Sequence, residues 1–259
     1  PPETLALAYD KPAVKRLLEA RRVPTPAWAV YHAPPPPGAW PHFPAIVKTT
    51  HEHCSIGISP DSVVTCDEEL RRRVAYVLEH HRQPALVETF INGREFHVSV
   101  WGNDTLTMLP AAEMDYCGLT DLRDRLFTYE AKYLPGSALF EAIKLRVPAE
   151  LSPADNAVLE RVVFDTYRAC GCRDYGRIDV RLQDGVFYVL DVNPNPDINP
   201  LTSMTYAASE AGFEYGEMGS YFVNLAAGRG PGSRKIGRCP EGPPRKAQAA
   251  SRSHGPDDR

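Results

Sequence analysis

Three oxygen-bearing side chains near the C-terminal end have the types and spacing of a site for a hard cation: Asp179, Asp191 and Asn193. Residues two apart on a strand share a face, so Asp191 and Asn193 point together. Two carboxylates and an amide oxygen suit Mg²⁺, which takes carboxylates, waters and phosphate oxygens. Arg177 shares the face of Asp179 and can meet an anion beside the metal. Ordinary half-exposed strands also alternate polar and apolar residues, so these residues alone leave both readings open.

The element that must position them is Tyr175 to Asn193, which reads as a β-hairpin. Ile178, Val180 and Leu182 alternate with Arg177, Asp179 and Arg181. Asp184-Gly185 is a strong two-residue turn signal, and an apolar run from Val186 to Val192 follows. A turn there sets Asp179 roughly opposite Asp191.

Further upstream, Lys48 ends a short strand and opens a polar loop containing Ser55 and Gly57. Such a lysine can hold phosphates by charge and backbone N–H groups, although Gly-x-x-x-x-Gly-Lys-Ser/Thr is absent. The consecutive His51, Glu52, His53 and Cys54 are too crowded for joint metal ligation. Glu88 and Glu95 flank an Asn92-Gly93 turn, and spacing alone reads them as surface carboxylates on a hairpin. Lys132 falls in a polar, irregular stretch, where a lysine either faces solvent or closes over a polyphosphate.

A chain of 259 residues allows one or two domains with a sizeable core. Its 43% hydrophobic and 24% charged content are those of a soluble globular protein. No apolar run is long enough to span a membrane, and no signal peptide is visible. The start at Pro1-Pro2 without Met reads as a fragment or a processed product. The six cysteines show no paired framework, so reduced thiols and a cytoplasmic location are expected. Residues 229–259 hold eight Lys/Arg against three Asp/Glu, a net of +5; with −4 overall, residues 1–228 carry −9. That Pro- and Gly-rich basic tail is expected to be disordered. The body offers no basic stripe, so nucleic acid is not an expected partner.

Helices are predicted over Asp10–Ala20, Asp67–His81 and Ser152–Gly171, with a final pair at Thr202–Gly212 and Tyr215–Ala227. Strands are predicted at Trp28–Tyr31, Ala45–Lys48, Ala85–Ile91, Arg94–Trp101, Leu106–Pro110 and Leu145–Pro148. Tyr116 to Ser137 reads as irregular. Antiparallel strands interleaved with helices indicate an α+β class.

Taken together, these residues resemble the ATP-grasp superfamily, and within it the D-alanine–D-alanine ligase group. The resemblance runs from Asp10 to about Ala227. It is carried by Asp10-Lys11, Phe43-Pro-Ala-Ile-Val-Lys48, Leu86-Val-Glu-Thr-Phe-Ile-Asn-Gly-Arg-Glu-Phe96, Tyr129-Glu-Ala-Lys-Tyr133, Gly176-Arg-Ile-Asp179 and Asp191-Val-Asn193. It implies two α+β subdomains clasping ATP, 1–92 and 93–228, followed by the tail at 229–259. Lys11, Lys48, Ser55, Glu88, Phe90, Ile91, Glu95 and Lys132 would bind ATP. Asp179, Asp191 and Asn193 would hold Mg²⁺ (or Mn²⁺). Arg177 would stabilise an oxyanion, with Lys132 steadying the phosphates.

The implied activity is amide formation through an acyl-phosphate, on small amino acid or peptide substrates, in cell-wall peptidoglycan biosynthesis. An ATP-binding module without complete ligase activity, or a ligase for a different amino acid or peptide, is the alternative. A homodimer is compatible with the sequence. Three departures stand out. An N-terminal α/β domain that the family carries is not in the sequence. His53 and Cys54 replace a glycine and a serine. Asp197 stands where the ligases have a glycine, with Thr202 at a substrate-contacting serine. The loop from Pro194 to Thr202 is therefore the expected seat of specificity.

Overall fold

A computed structural model describes residues 1–52, 55–134 and 136–229. His53, Cys54 and residues 230–259 of the tail lie outside the described residues. Two antiparallel sheets face each other across a cleft. The first contains β1 (Trp28–Tyr31), β2 (Ala45–Thr49), β3 (Val63–Val64) and β4 (Ala85–Thr89), in the order β1-β4-β2-β3. The second contains β5 (Arg94–Gly102), β6 (Leu106–Met108), β7 (Ala112–Asp115), β8 (Lys144–Arg146), β9 (Tyr175–Gln183) and β10 (Val186–Asn193). Its order is β10-β9-β5-β7-β8, with β6 on β5.

Period-two alternation gives each sheet one apolar face and one cleft face. In the first sheet, Ala45, Val47, Ala85 and Val87 pack on Leu70, Val74 and Val77, from α3 (Asp67–Tyr76) and the turn after it. Lys48 and Glu88 take the opposite parity. In the second sheet, Phe96, Val98, Val100, Ile178 and Val180 pack on Leu159, Val162, Val163 and Tyr167 of α6 (Pro153–Ala169). Glu95, His97, Arg177, Asp179 and Arg181 take the other face.

The helix α2 (Lys11–Ala20) forms as expected, with the Asp10 carboxylate accepting from the Ala13 N–H at 2.9 Å. Its Val14 and Leu18 belong to the core of the second sheet, although the helix precedes the first sheet in the chain. Two C-terminal helices, α7 (Ser203–Glu210) and α8 (Tyr215–Ala227), bury Trp101 with Met204, Met218 and Phe222.

Several expectations need correction. A helix α1 (Pro2–Tyr9) precedes α2, because prolines are tolerated in a first helical turn, where their missing N–H is not needed. The helix predicted over Asp67–His81 is α-helical only to Tyr76; Val77–His81 forms a π-turn ending in a left-handed Arg82. The strand β7 was not foreseen. The middle stretch is not uniformly irregular: it contains α4 (Tyr129–Tyr133), capped by Thr128, and α5 (Ala138–Ala142), capped by Ser137.

Candidate active site: the cleft between the sheets

The β9–β10 hairpin turns at Asp184 and Gly185, both with positive φ (52° and 77°), as a two-residue turn requires. From the turn, Val189 pairs with Val180. The register then slips at Leu190, so Asp191 pairs with Asp179 and Asn193 with Arg177. This bulge decides the site. Phe187 and Val189 face the apolar core, and strict alternation would bury Asp191 and Asn193 beside them. One extra residue reverses the parity: Val192 enters the core, while Asp191 and Asn193 face the cleft.

Arg177 forks onto Asp179, with Nε donating to Oδ1 at 2.7 Å and Nη2 to Oδ2 at 2.9 Å. The Asn193 amide donates to Asp179 Oδ2 at 3.2 Å. Burial pushes the Asp179 pKa up, but Arg177 and His97 outweigh it and hold the carboxyl below its ordinary value. Among the described residues no ion pair or side-chain hydrogen bond engages Asp191. A half-buried carboxylate left without a partner, opposite a second carboxylate and beside an amide oxygen, fits a hard divalent cation.

The cleft has a volume of about 1020 Å³, at the upper end of ordinary ligand sites of about 300–1,000 Å³. Every site residue predicted from the sequence lines it. The three lysines arrive from different directions. Lys48 projects from β2 and pairs with Glu88 on β4 at 2.5 Å. Lys11 opens α2 and donates to the Glu52 carbonyl of the polar loop. Lys132, on α4, donates to Ser55 Oγ at 2.8 Å and stacks over the Phe127 ring at 5.0 Å. Ser55 in turn donates to the Phe127 carbonyl at 3.0 Å. Lys132 therefore sits on a capped helical turn fastened to the polar loop after β2, rather than on an irregular loop. Burial lowers the pKa of Lys11 and of Lys132, the latter with help from Arg177.

Glu88 lines the cleft from β4. It is 0% exposed, and its carboxylate lies between Lys15 and Lys48. Burial pushes its pKa up, yet the two ammonium groups hold it at about 2. Sequence reasoning missed Lys15. It reaches Glu88 from α2 and also donates to Thr25 Oγ1 at 2.6 Å and to the Val189 carbonyl at 3.3 Å. Its one signal is a lysine among Val14 and Leu18 on the apolar face of the helix. Also missed were His97, whose Nε2 lies 3.6 Å from Glu95 and 4.0 Å from Asp179, and Arg181. Both follow from period two: His97 is two residues from Glu95, and Arg181 two from Asp179.

Phe90 and Ile91 form the linker between the sheets, with Phe90 packed on Ile46 and Leu126. Asp197 and Thr202 are held by their own loop. Asp197 Oδ1 accepts from the Asn199 N–H at 2.8 Å, and the Thr202 hydroxyl donates to the Asn199 carbonyl at 3.0 Å.

A family profile described as D-ala D-ala ligase C-terminus matches residues 38–223. This chain belongs to that family. It is 30% identical over 224 residues to a D-alanine–D-alanine ligase of Carboxydothermus hydrogenoformans, covering 82% of this chain and 67% of that one. It is 31% identical over 232 residues to the uncharacterized protein y4sG of Sinorhizobium fredii, covering 89% of this chain and 66% of the relative. A structure of the Bacillus anthracis D-alanine–D-alanine ligase complexed with ATP superposes with a TM-score of 0.67 at 19% identity, over 86% of this chain and 67% of that one. That likeness establishes the ATP-grasp fold, and α+β is the class observed. The chain spans about two thirds of the length of these relatives. The hairpin, Lys48, Lys132 and the linker lie within the matched residues; Lys11 and Lys15 precede them. Among the described residues no helix is long and apolar enough to cross a membrane.

Proposed function

We propose that this chain is the nucleotide-binding and catalytic part of an ATP-dependent carboxylate–amine ligase, acting in the cytoplasm on small amino acid or peptide substrates. The observation that carries the reading is the convergence of Lys11, Lys48 and Lys132 on one cleft with the register-opposed Asp179 and Asp191. Three ammonium groups and two carboxylates on facing walls suit a polyphosphate and its counter-cation.

In this reading the sheet of β1–β4 and the sheet of β5–β10, onto which α1 and α2 pack, clasp ATP. Phe90 and Ile91 meet the base, and Glu95 meets the ribose. Lys48, held by Glu88, joins Lys11 and Lys132 on the phosphates. Asp179, Asp191 and Asn193 would hold Mg²⁺ or Mn²⁺, which offsets charge built up on phosphate oxygens during transfer. A substrate carboxylate attacks the γ-phosphate, breaking the β–γ phosphoanhydride and expelling ADP, and an amine then displaces phosphate from the acyl-phosphate. Arg177 neutralises the oxyanion formed when the amine adds. Little acid–base work is asked of side chains, because positioning supplies most of the effect. The loop from Pro194 to Thr202 selects the substrate, and the Asp197 carboxylate disfavours an anionic one.

Phosphate release from Mg·ATP, screened over a panel of D- and L-amino acids, tests the reading. Release that depends on an added amino acid supports it. The partial span of the relatives favours a second reading, an ATP-binding module whose ligation needs residues beyond these 259. ATP binding without amino-acid-dependent release would select that one.

A further inference from the structure

Arg181 plays no part in the chemistry above, yet it engages five residues around the cleft floor: Glu95, Ile91, Arg125, Phe90 and Tyr116. It is 3% exposed. Its Nε donates to Glu95 Oε2 at 2.8 Å, and its Nη2 lies 2.7 Å from the same oxygen. Nη1 donates to the Ile91 carbonyl at 2.9 Å, and Nη2 to the Arg125 carbonyl at 2.5 Å. The guanidinium lies 4.6 Å from the Phe90 ring centroid and 5.5 Å from that of Tyr116, both within cation–π range. One planar group thus ties the linker, the first turn of β5 and the loop before α4 to the hairpin strand β9.

We propose that Arg181 is a positioning residue that sets nucleotide selectivity, by fixing the Glu95 carboxylate and the Phe90–Ile91 linker at one spacing across the nucleotide pocket. The proposal rests on the ATP-binding reading above. The two oxygens of Glu95 are not equivalent. Oε2 is taken by Arg181. Oε1 lies 3.6 Å from His97 Nε2, beyond ordinary hydrogen-bond length, and keeps its lone pairs for a ligand hydroxyl. Two donors of one rigid guanidinium converge on Oε2 and anchor that oxygen from a fixed direction, which a single mobile ammonium does not. Glu95 and Arg181 also stand directly opposite in register on β5 and β9, so the pair is set by the backbone. The same guanidinium keeps Glu95 ionised against the pull of burial.

The test is calorimetric binding of Mg·ATP and Mg·2′-deoxy-ATP to the full chain and to Arg181→Met and Arg181→Lys, with thermal melting of each. Wild type is expected to prefer ATP. Arg181→Lys, which keeps the charge and is expected to fold, should weaken ATP about tenfold and bring the two affinities together. Arg181→Met should do the same more strongly. A general loss of stability would weaken both nucleotides alike and leave their ratio unchanged, which overturns the proposal. Equal binding of the two nucleotides by wild type also overturns it, with no variant needed. Failure of wild type to bind ATP at all overturns the ATP-binding reading itself, so the two failures are distinguishable.

Discussion

Asp179 and Asp191 stand opposite each other across the hairpin because the register slips by one residue at Leu190. With Leu190 present and no slip, Asp191 and Asn193 would turn toward Phe187 and Val189, and burying an unpaired carboxylate there costs more than about 3 kcal/mol. Deleting Leu190 removes the need for the slip: Asp191 then follows Val189 directly, and unbroken alternation keeps it in the cleft opposite Asp179, with Asn193 still opposite Arg177. The deletion variant is therefore expected to fold and to keep Mg·ATP binding, read by urea denaturation and calorimetry. A deletion variant that melts cooperatively but no longer binds Mg·ATP would contradict the role given to the bulge.

Asp191→Asn removes a charge that has no protein partner among the described residues. Its melting temperature should stay close to that of wild type. The Mg²⁺ needed for half-maximal ATP turnover or binding should rise at least about tenfold. An unchanged Mg²⁺ titration would remove Asp191 from the metal site. Asp179→Asn differs, because it also frees Arg177, and should lose both stability and Mg²⁺ response.

Lys15→Met leaves Glu88 buried with one cation in place of two. Breaking a buried ion pair by removing one partner costs about 3–5 kcal/mol, and chemical denaturation should read a loss of that size. ATP affinity should fall too, because Glu88 orients Lys48. The double variant Lys15→Met/Glu88→Leu should recover much of the stability without recovering the affinity. Recovery of both would show that Lys48 needs no anchor.

Acid should unfold the chain through its buried carboxylates. Glu88 is held at about 2 against an ordinary 4.5, and Glu95 and Asp179 also lie below their ordinary values. A carboxyl with a lowered folded pKa stabilises above its unfolded pKa and loses that contribution as pH falls toward the folded one. Stability should therefore be steady from neutrality to about pH 5 and drop steeply between about 4.5 and 2. Glu88→Gln should flatten that drop; an equally steep acid limb in this variant would exclude Glu88 as a contributor.

Much of the site was legible because it is written in period two. Arg177, Asp179, Asp191 and Asn193 alternate with apolar neighbours, and the Asp184-Gly185 turn brings the strands together. The bulge was not legible, since Leu190 sits in a run of apolar residues and looks like any strand residue. Lys15 was hidden for a related reason: a lysine on an amphipathic helix is ordinarily solvated, and only the position of Glu88 makes it a buried partner. Lys132 was found by its neighbours, but its support was not, because a five-residue helix is too short to show periodicity. The helix α1 was masked by two prolines that usually interrupt structure.

The chain builds α1 and α2 onto the second sheet, leaves to make the first sheet, and returns. The first sheet therefore hangs on two tethers. The outgoing one is fastened to β10, where the Val189 N–H donates to the Pro24 carbonyl at 2.9 Å and the Thr25 hydroxyl donates to the Val189 carbonyl at 3.0 Å. The returning one is fastened to β9, where Arg181 holds Ile91. Both fastenings sit on the hairpin that carries the carboxylates, like two hinges on one door-post. A swing of the first sheet about them would carry Lys48 and Glu88 away from Asp179, Asp191, Lys11 and Lys15, which belong with the frame. The buried Lys15–Glu88 pair spans frame and door, so any such opening would have to break it first.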